Sequence, residues 1–243
     1  MNLLDIVILA ILAFYLISGM YRGSITSFLG TAGFIAAWYG AIQFYPQVAH
    51  MALSNQTLMA VLNQYLEPES FFATHQMATT TVAEVISGGE SAIQNAIAAV
   101  SSKLAVISRA FEANVRSQVF QNLGISTLAD YLDQTIWQAI FNVVAFLLCF
   151  IALYILAALV VNLLDHVISF PLIRGFDWLV GGLLGLVRGV VICVLVLNLL
   201  PAVAQIVSPE FAENITSTSV LMNFVKSFDL MHVGQTITRL IGS

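Results

Sequence analysis

Long apolar runs dominate the chain, and three of them have clear limits. Leu3 to Met20 is the first, Ser24 to Tyr45 is the second, and Asn142 to Leu164 is the third. Each comes close to the 20 or so apolar residues with which an α-helix crosses a bilayer. Only Tyr21-Arg22-Gly23 separates the first two runs, so the pattern predicts an antiparallel pair of transmembrane helices.

A fourth apolar run can be divided in two ways. Trp178 to Leu200 makes one span with Arg188 near its middle. Alternatively, Val190 to Val207 is the span and Val167 to Val187 is a re-entrant half-helix, which needs protein or a cavity to cover its ends. We favour a single span, because the segment that begins at Pro201 is typical of a helix end.

Between the second and third spans, residues 46–134 form a polar insert with helical periodicity. Its apolar positions recur at steps of three and four, which predicts one helical stripe. The stripe consists of Ile93, Ile97, Val100, Leu104, Ile107, Phe111, Val115 and Val119. Ser87-Gly88-Gly89 separates this helix from an earlier one, Gly124 predicts its stop, and Ser126 or Thr127 can cap the next helix.

The insert is therefore expected to be an antiparallel helical hairpin outside the membrane. Its stripe faces either its own partner helix or another molecule, because the steps also resemble a heptad seam. After Pro201 the chain ends in an amphipathic tail, residues 201–243, which either lies on the membrane surface or packs on the insert.

Composition agrees with a membrane protein. Of the 243 residues, 59% are hydrophobic and 9% are charged, whereas soluble domains carry about 25% charged residues. We predict an all-α, multipass membrane protein of about four transmembrane helices in two repeat-like halves, with an extracytoplasmic helical insertion. Its predicted parts are a helical hairpin over residues 1–45, the insert over 46–134, the second transmembrane half over 135–200 and the tail over 201–243.

The positive-inside rule orients the predicted spans. Arg22 lies between spans one and two and Arg174 lies between spans three and four, so both loops are expected inside. The N-terminus, the insert and the tail are then extracytoplasmic. Asp5 is the first charge and no clear cleavage site precedes Arg22, so we interpret the first run as a retained helix rather than a signal peptide.

A short motif occurs twice inside these apolar stretches. Gly19-Met-Tyr-Arg22-Gly23 recurs as Gly185-Leu-Val-Arg188-Gly189, and an aspartate precedes each copy. An arginine at a helix centre costs about 2.5–3.5 kcal/mol on insertion scales, so such residues usually serve a function. The candidate polar site therefore consists of Asp5, Arg22, Asp177 and Arg188.

Each of these residues also has a structural interpretation. Asp5 and Asp177 stand where the helix dipole favours a carboxylate, and Arg22 fits an anchor at the membrane interface. Arg188 lies about 15 Å along its helix and needs a partner. Asp165, Asp177 or Asp5 is the predicted partner, either as a lock between helices or as part of a substrate or proton site.

Glycines accompany both copies of the motif. Gly181, Gly185 and Gly189 make a small-xxx-small ladder, and Gly19 with Gly23 repeats the spacing, which predicts close helix packing. Cys149 and Cys193 lie in apolar runs and are interpreted as packing residues. Asp165-His166 has no further ligands for a metal, and no nucleophile and base pair is recognisable, so we expect no enzyme activity, metal or cofactor.

The motifs resemble the colicin V production family of bacterial inner-membrane proteins. That family's pattern has an aspartate near the N-terminus, a G/S-x-x-R-G break and a later D-x-x-x-G-x-x-x-G-x-x-R-G signature, which Asp177 to Gly189 matches. The resemblance covers residues 1–45 and about 140–200, and the insert departs from shorter members. It implies a multipass protein of the cytoplasmic membrane, linked to toxin production or export and to envelope function.

Two functions are therefore predicted. The first is a transport or channel component, in which Arg22 and Arg188 bind an anionic group. The second is a non-transporting scaffold or assembly factor that acts through its external arm. Expected partners are the lipid bilayer, further copies of the chain, because four spans are few to enclose a path, and a membrane or extracytoplasmic protein. Nucleic acid is not expected, because the basic residues are scattered singly.

Overall fold

The computed structural model describes residues 3–62, 64–167, 177–207 and 240. Its elements are nine α-helices and two 3₁₀ turns within that part of the chain. They are α1 (Leu3–Arg22), α2 (Ser24–Leu53), α3 (Gln56–Leu62), a turn at Pro68–Phe71, α4 (His75–Thr79), α5 (Val82–Ser87), α6 (Glu90–Ser101), α7 (Ala105–Ser117), a turn at Gln121–Leu123, α8 (Leu128–Val167) and α9 (Asp177–Val207).

Four of these helices are long and apolar enough to cross a membrane. Their apolar stretches are Asp5–Arg22, Ser24–Leu53, Leu128–Leu163 and Asp177–Leu197. The prediction of an all-α protein with about four transmembrane helices is confirmed. Some predictions fall outside the described residues. They concern the side-chain roles of Asp165 and His166, the loop charge of Arg174 and the tail residues 208–239.

Two helices pass through prolines that were expected to end them. α2 continues beyond Pro46 to Leu53, and Tyr45 before the proline and Ala49 after it are both buried. α9 likewise continues through Pro201 to Val207. A proline removes one backbone hydrogen bond, a loss that long membrane helices tolerate.

The fourth span is a single helix. α9 runs without a break from Asp177 through Arg188 and Gly189, so the half-helix alternative is wrong. In the first copy of the motif, by contrast, the helix stops at Arg22 and restarts at Ser24. The repeat therefore exists in the sequence, but its two copies have different conformations.

The structure divides into two compact units, and the membrane unit comprises Met1–Phe44 and Phe146–Ile237. In it α1 packs antiparallel to α9, as the pairing of Gly19 with Gly181 and of Tyr15 with Gly185 shows. α2 packs on α8 through aromatic rings: Phe34 contacts Phe150 at 5.3 Å between ring centroids, and Trp38 contacts Phe146 at 5.1 Å.

The second unit comprises Tyr45–Ala145 and Thr238–Ser243. The predicted stripe does not lie on one helix, because the chain turns back after Ser101 and forms α6 and α7. Arg116 of α7 binds Glu90 of α6 at 2.9 Å, and this hydrogen bond lowers the pKa of Glu90 to about 2. Seven of the eight stripe residues are buried inside this unit, and only Val119 is exposed. The stripe therefore forms a core and not a heptad seam.

The predicted stop and cap at the end of this unit have different outcomes. Gly124 has a φ of 76°, a left-handed conformation that favours glycine, but it ends the 3₁₀ turn at Gln121–Leu123. α7 already ends at Ser117, so the predicted stop of the stripe helix was wrong. Thr127 accepts a hydrogen bond from the backbone N–H of Asp130 at 3.2 Å and so caps α8. The single earlier helix expected before Ser87 is instead two short ones, α4 and α5, and α5 begins with a capping box at Thr81.

Candidate functional site

The break between α1 and α2 is held by a residue from α9. Gly23 has a φ of 78°, and α2 begins directly after it. Asp177 Oδ1 accepts a hydrogen bond from the backbone N–H of Ser24 at 2.8 Å and a second, short one from the Ser24 hydroxyl. A Cβ atom on Gly23 would lie 2.6 Å from Asp177 Oδ2. Asp177 therefore supplies the capping oxygen that a glycine before α2 lacks.

The glycine ladder brings the backbones of α1 and α9 into direct contact. A Cβ atom on Gly19 would overlap the carbonyl oxygen of Gly181, and one on Gly185 would overlap that of Tyr15. At Gly189 the nearest atom would be the Cβ of Tyr15, at 3.1 Å. The close approach thus holds from Gly181 to Gly185 and relaxes at Gly189.

Arg188 is buried in the membrane unit, with 6% of its surface exposed. Its Nη2 donates hydrogen bonds to the carbonyl oxygen of Ser27 at 3.2 Å and to Thr31 Oγ1 at 3.1 Å. Gly30 leaves room for the guanidinium, because a Cβ atom there would lie 2.7 Å from Nη2. Its Nε is also buried and has no hydrogen-bond partner among the described residues.

The guanidinium lies nearer the end of the membrane unit that contains Arg22 than its position in the sequence suggests. Side chains on a helix lean toward its N-terminus, and Ser27 and Thr31 belong to the first two turns of α2. The Cα of Arg188 is about 16 Å along α9, but its charged end is at the level of those early turns. Arg188 therefore extends toward the end of the membrane unit that contains Arg22.

The predicted carboxylate partner of Arg188 is not found among the described side chains. The ion pairs of the described residues join His75 to Glu69 and Arg116 to Glu90 and Glu112. Asp177 instead binds Ser24. Asp5 is buried, at 3% exposure, and lies on the far side of the contact between Ile8 and Cys193, toward the other end of α1.

The four predicted polar residues thus separate into three places. Arg22 and Arg188 line one cavity of about 50 Å³ in the membrane unit, whereas Asp177 and Asp5 are not among its lining residues. The cavity is lined by Arg22, Gly30, Gly33, Tyr154, Ala157, Ala158, Val161, Asn162 and Arg188. No carboxylate is among these residues. A water needs about 10–15 Å³ of such space, so the cavity has room for about three to five.

Sequence reasoning missed the neutral part of this site. Gly30 and Thr31 follow Ser27 by three and four residues on α2, which makes a polar or small face inside an apolar span, and that spacing was a usable signal. Tyr154 and Asn162 of α8 gave no comparable signal, because single polar residues in a long apolar run do not show which helix they face.

Fold and site together define a multipass, all-α membrane protein with a buried arginine. The sequence model of the family described as Colicin V production protein matches residues 4–109 and 113–229. The chain therefore belongs to the colicin V production family, and the resemblance is confirmed. The match extends through the insert, so the expected coverage of under half the chain was too small. No curated protein and no solved structure gives a significant match.

Proposed function

We propose that this protein is a transport or channel component of the cytoplasmic membrane, acting in toxin export and envelope function, and that its cavity binds an anionic group. The observation that carries this proposal is the pair of arginines, Arg22 and Arg188, on one small cavity with no carboxylate among its lining residues. A buried charge without a counter-charge costs several kcal/mol. An anion that enters the cavity offsets this cost, so binding is favoured at this point of the membrane unit.

The proposed orientation places this cavity near the cytoplasmic face. Arg22 ends α1 in the short connection to α2, which the positive-inside rule assigns to the cytoplasm. The guanidinium of Arg188 leans the same way. The substrate is then taken up from the cytoplasm or the inner leaflet, and copies of the chain associate to enclose the rest of the path.

The scaffold alternative requires an exposed contact surface on the second unit. Its predicted contact surface was the apolar stripe, but most of that stripe is buried within the unit. A partner would have to use exposed apolar side chains, such as Tyr65 at 79% and Leu123 at 67% exposure. Replacing these two residues tests the scaffold without unfolding the core.

The deciding experiment compares Arg188→Lys with a double Tyr65→Ser, Leu123→Ser variant. Cells that carry each variant as their only copy are scored for released toxin activity, and membrane abundance is measured by immunoblot. Lysine keeps the charge, so insertion is preserved, but it lacks the planar fork that holds an oxyanion and bonds Ser27 and Thr31 together. We expect Arg188→Lys to lower release at least tenfold at unchanged abundance.

The matched control is Arg109→Lys, the same change on the exposed surface of α7. It should leave release unchanged. Full release from Arg188→Lys, with loss of release in the Tyr65 and Leu123 variant, would replace the transport proposal by the scaffold.

A further inference from the structure

We infer that the anion held in this cavity is a phosphate group, bound between the guanidiniums of Arg22 and Arg188. This inference rests on the proposed function above and specifies its ligand. Both arginines line the cavity, and Tyr154 and Asn162 add a hydroxyl and an amide to the same wall. A tetrahedral phosphate presents oxygens in several directions, whereas a carboxylate presents two in one plane. Two guanidiniums, each with several N–H donors, therefore suit a phosphate with its four oxygens.

The size of the cavity limits the ligand to a single small group. Its volume is about 50 Å³, which corresponds to about three to five water-sized groups. A phosphate, with one phosphorus and four oxygens, has this size. The remainder of a larger ligand then lies outside the cavity.

Arg188 is prepared for one further acceptor. Its Nη2 is held by two neutral oxygens, those of Ser27 and Thr31, which fix the guanidinium but do not neutralise it. Its Nε is buried and lacks a partner among the described residues. A buried donor left unsatisfied destabilises the folded state. An oxyanion in the cavity, which Arg188 lines, would offset the charge of the guanidinium.

The position of Arg22 indicates where the phosphate enters. Arg22 is the last residue of α1 and is exposed, whereas Arg188 is buried. An exposed guanidinium at a membrane interface captures the group, and the buried one completes its coordination. Both a lipid headgroup and a soluble phosphate can reach such a site, and they share this chemistry.

The test uses the full chain, purified in an uncharged maltoside detergent that contains no phosphate. Thermal unfolding and calorimetry are measured with inorganic phosphate, with phosphatidic acid or diacylglycerol in mixed micelles, and with acetate. We expect saturable binding and stabilisation by phosphatidic acid, by inorganic phosphate, or by both. Arg22→Gln and Arg188→Gln should each weaken binding at least tenfold, because each removes a charged hydrogen-bonding partner. Arg109→Gln should leave binding unchanged.

The outcomes are distinct. Binding of phosphatidic acid alone identifies a lipid headgroup, and binding of inorganic phosphate identifies a soluble ligand. Equal binding of acetate, no response to any anion, or an equal loss in Arg109→Gln would overturn the inference. Arg22 is exposed, so its variant reports on binding even if Arg188→Gln does not fold. If Arg188→Lys abolishes toxin release but no phosphate binds, the ligand assigned here is wrong and the proposed function stands; if release persists, the proposed function fails.

Discussion

At the scale of single residues, the two copies of the motif complete each other. The first copy ends in Gly23, which can adopt the required positive φ but has no side chain to cap α2. The second copy begins with Asp177, whose carboxylate caps α2 at Ser24. Gly23 and Asp177 come from two distant parts of the chain and together form the start of α2.

Because Gly23 and Asp177 act together, the effects of replacing them on the free energy of unfolding should not be additive. Gly23→Ala should lower the free energy of unfolding by about 1–2 kcal/mol for its left-handed φ, and by more because its Cβ displaces the Asp177 carboxylate. Asp177→Ala should also destabilise, but the double variant should be less destabilised than the sum. A double-mutant cycle, measured by unfolding in mixed micelles, checks this.

Gly124→Ala provides the control for the conformational part. Gly124 has a nearly equal φ of 76°, and no atom lies within 4 Å of its added Cβ. Gly124→Ala should therefore lower the free energy of unfolding only by the cost of the left-handed φ. Strict additivity of the Gly23 and Asp177 changes would contradict the assignment of Asp177 as the cap.

Sequence reasoning at this scale selected the arginines that line the cavity, but it did not find the partners of Arg188 that the structure describes. An arginine in a membrane span is energetically costly, so Arg22 and Arg188 can be recognised as candidates from the sequence alone. The partners were sought among aspartates because an ion pair is the usual solution, but a backbone carbonyl and a threonine hydroxyl fill that role. Any residue has a backbone carbonyl, so the spacing of Ser27, Gly30 and Thr31 could indicate a polar or small face of α2 but not the Ser27 carbonyl as an acceptor.

At the scale of elements, the contact between α1 and α9 sets the position of Arg188. Gly19, Gly181 and Gly185 remove the side chains that would keep the two helices apart. Arg188 follows Gly185 by one turn on α9, so it depends on this contact for its place beside α2. Moving α9 outward would withdraw the guanidinium from Ser27 and Thr31.

Gly185→Ala should therefore be far more harmful than Gly189→Ala. At Gly185 the added methyl overlaps a backbone carbonyl, which cannot move alone, whereas at Gly189 it meets a side chain at 3.1 Å. We expect a loss of about 3 kcal/mol or more for Gly185→Ala and about 1 kcal/mol or less for Gly189→Ala. Membrane abundance and unfolding in micelles measure both variants, and equal losses would contradict the direct backbone contact.

Length and hydropathy were enough to predict the long helices, but they did not predict where the chain folds back on itself. All four long helices follow from their apolar runs. The stripe from Ile93 to Val119 has an unbroken period, yet α6 and α7 are antiparallel because the two halves bury each other's apolar faces. Periodicity records which face is apolar, and it does not record where the chain reverses.

At the scale of the whole molecule, membership of the colicin V production family and four apolar helices establish a membrane protein. Within its membrane unit, the central claim of this account is a hydrated cavity between α2, α8 and the two arginines. Ala157 and Ala158 of α8 line that cavity, whereas Ala41 of α2 is fully buried in the aromatic part of the same unit. The same Ala→Cys change can therefore be made at two positions that line the cavity and at one that is packed in the core.

The most direct measurement is the labelling of single cysteines at positions 157, 158 and 41 in a Cys149→Ser, Cys193→Ala background. A charged, membrane-impermeant thiol reagent is applied from each side of sealed vesicles. The account predicts that Ala157→Cys and Ala158→Cys react from the cytoplasmic side, that inorganic phosphate or phosphatidic acid slows the reaction, and that Ala41→Cys stays unlabelled. Complete protection at all three positions would mean that the arginines are dry and packed, which would contradict a polar path and leave the scaffold as the function of this protein.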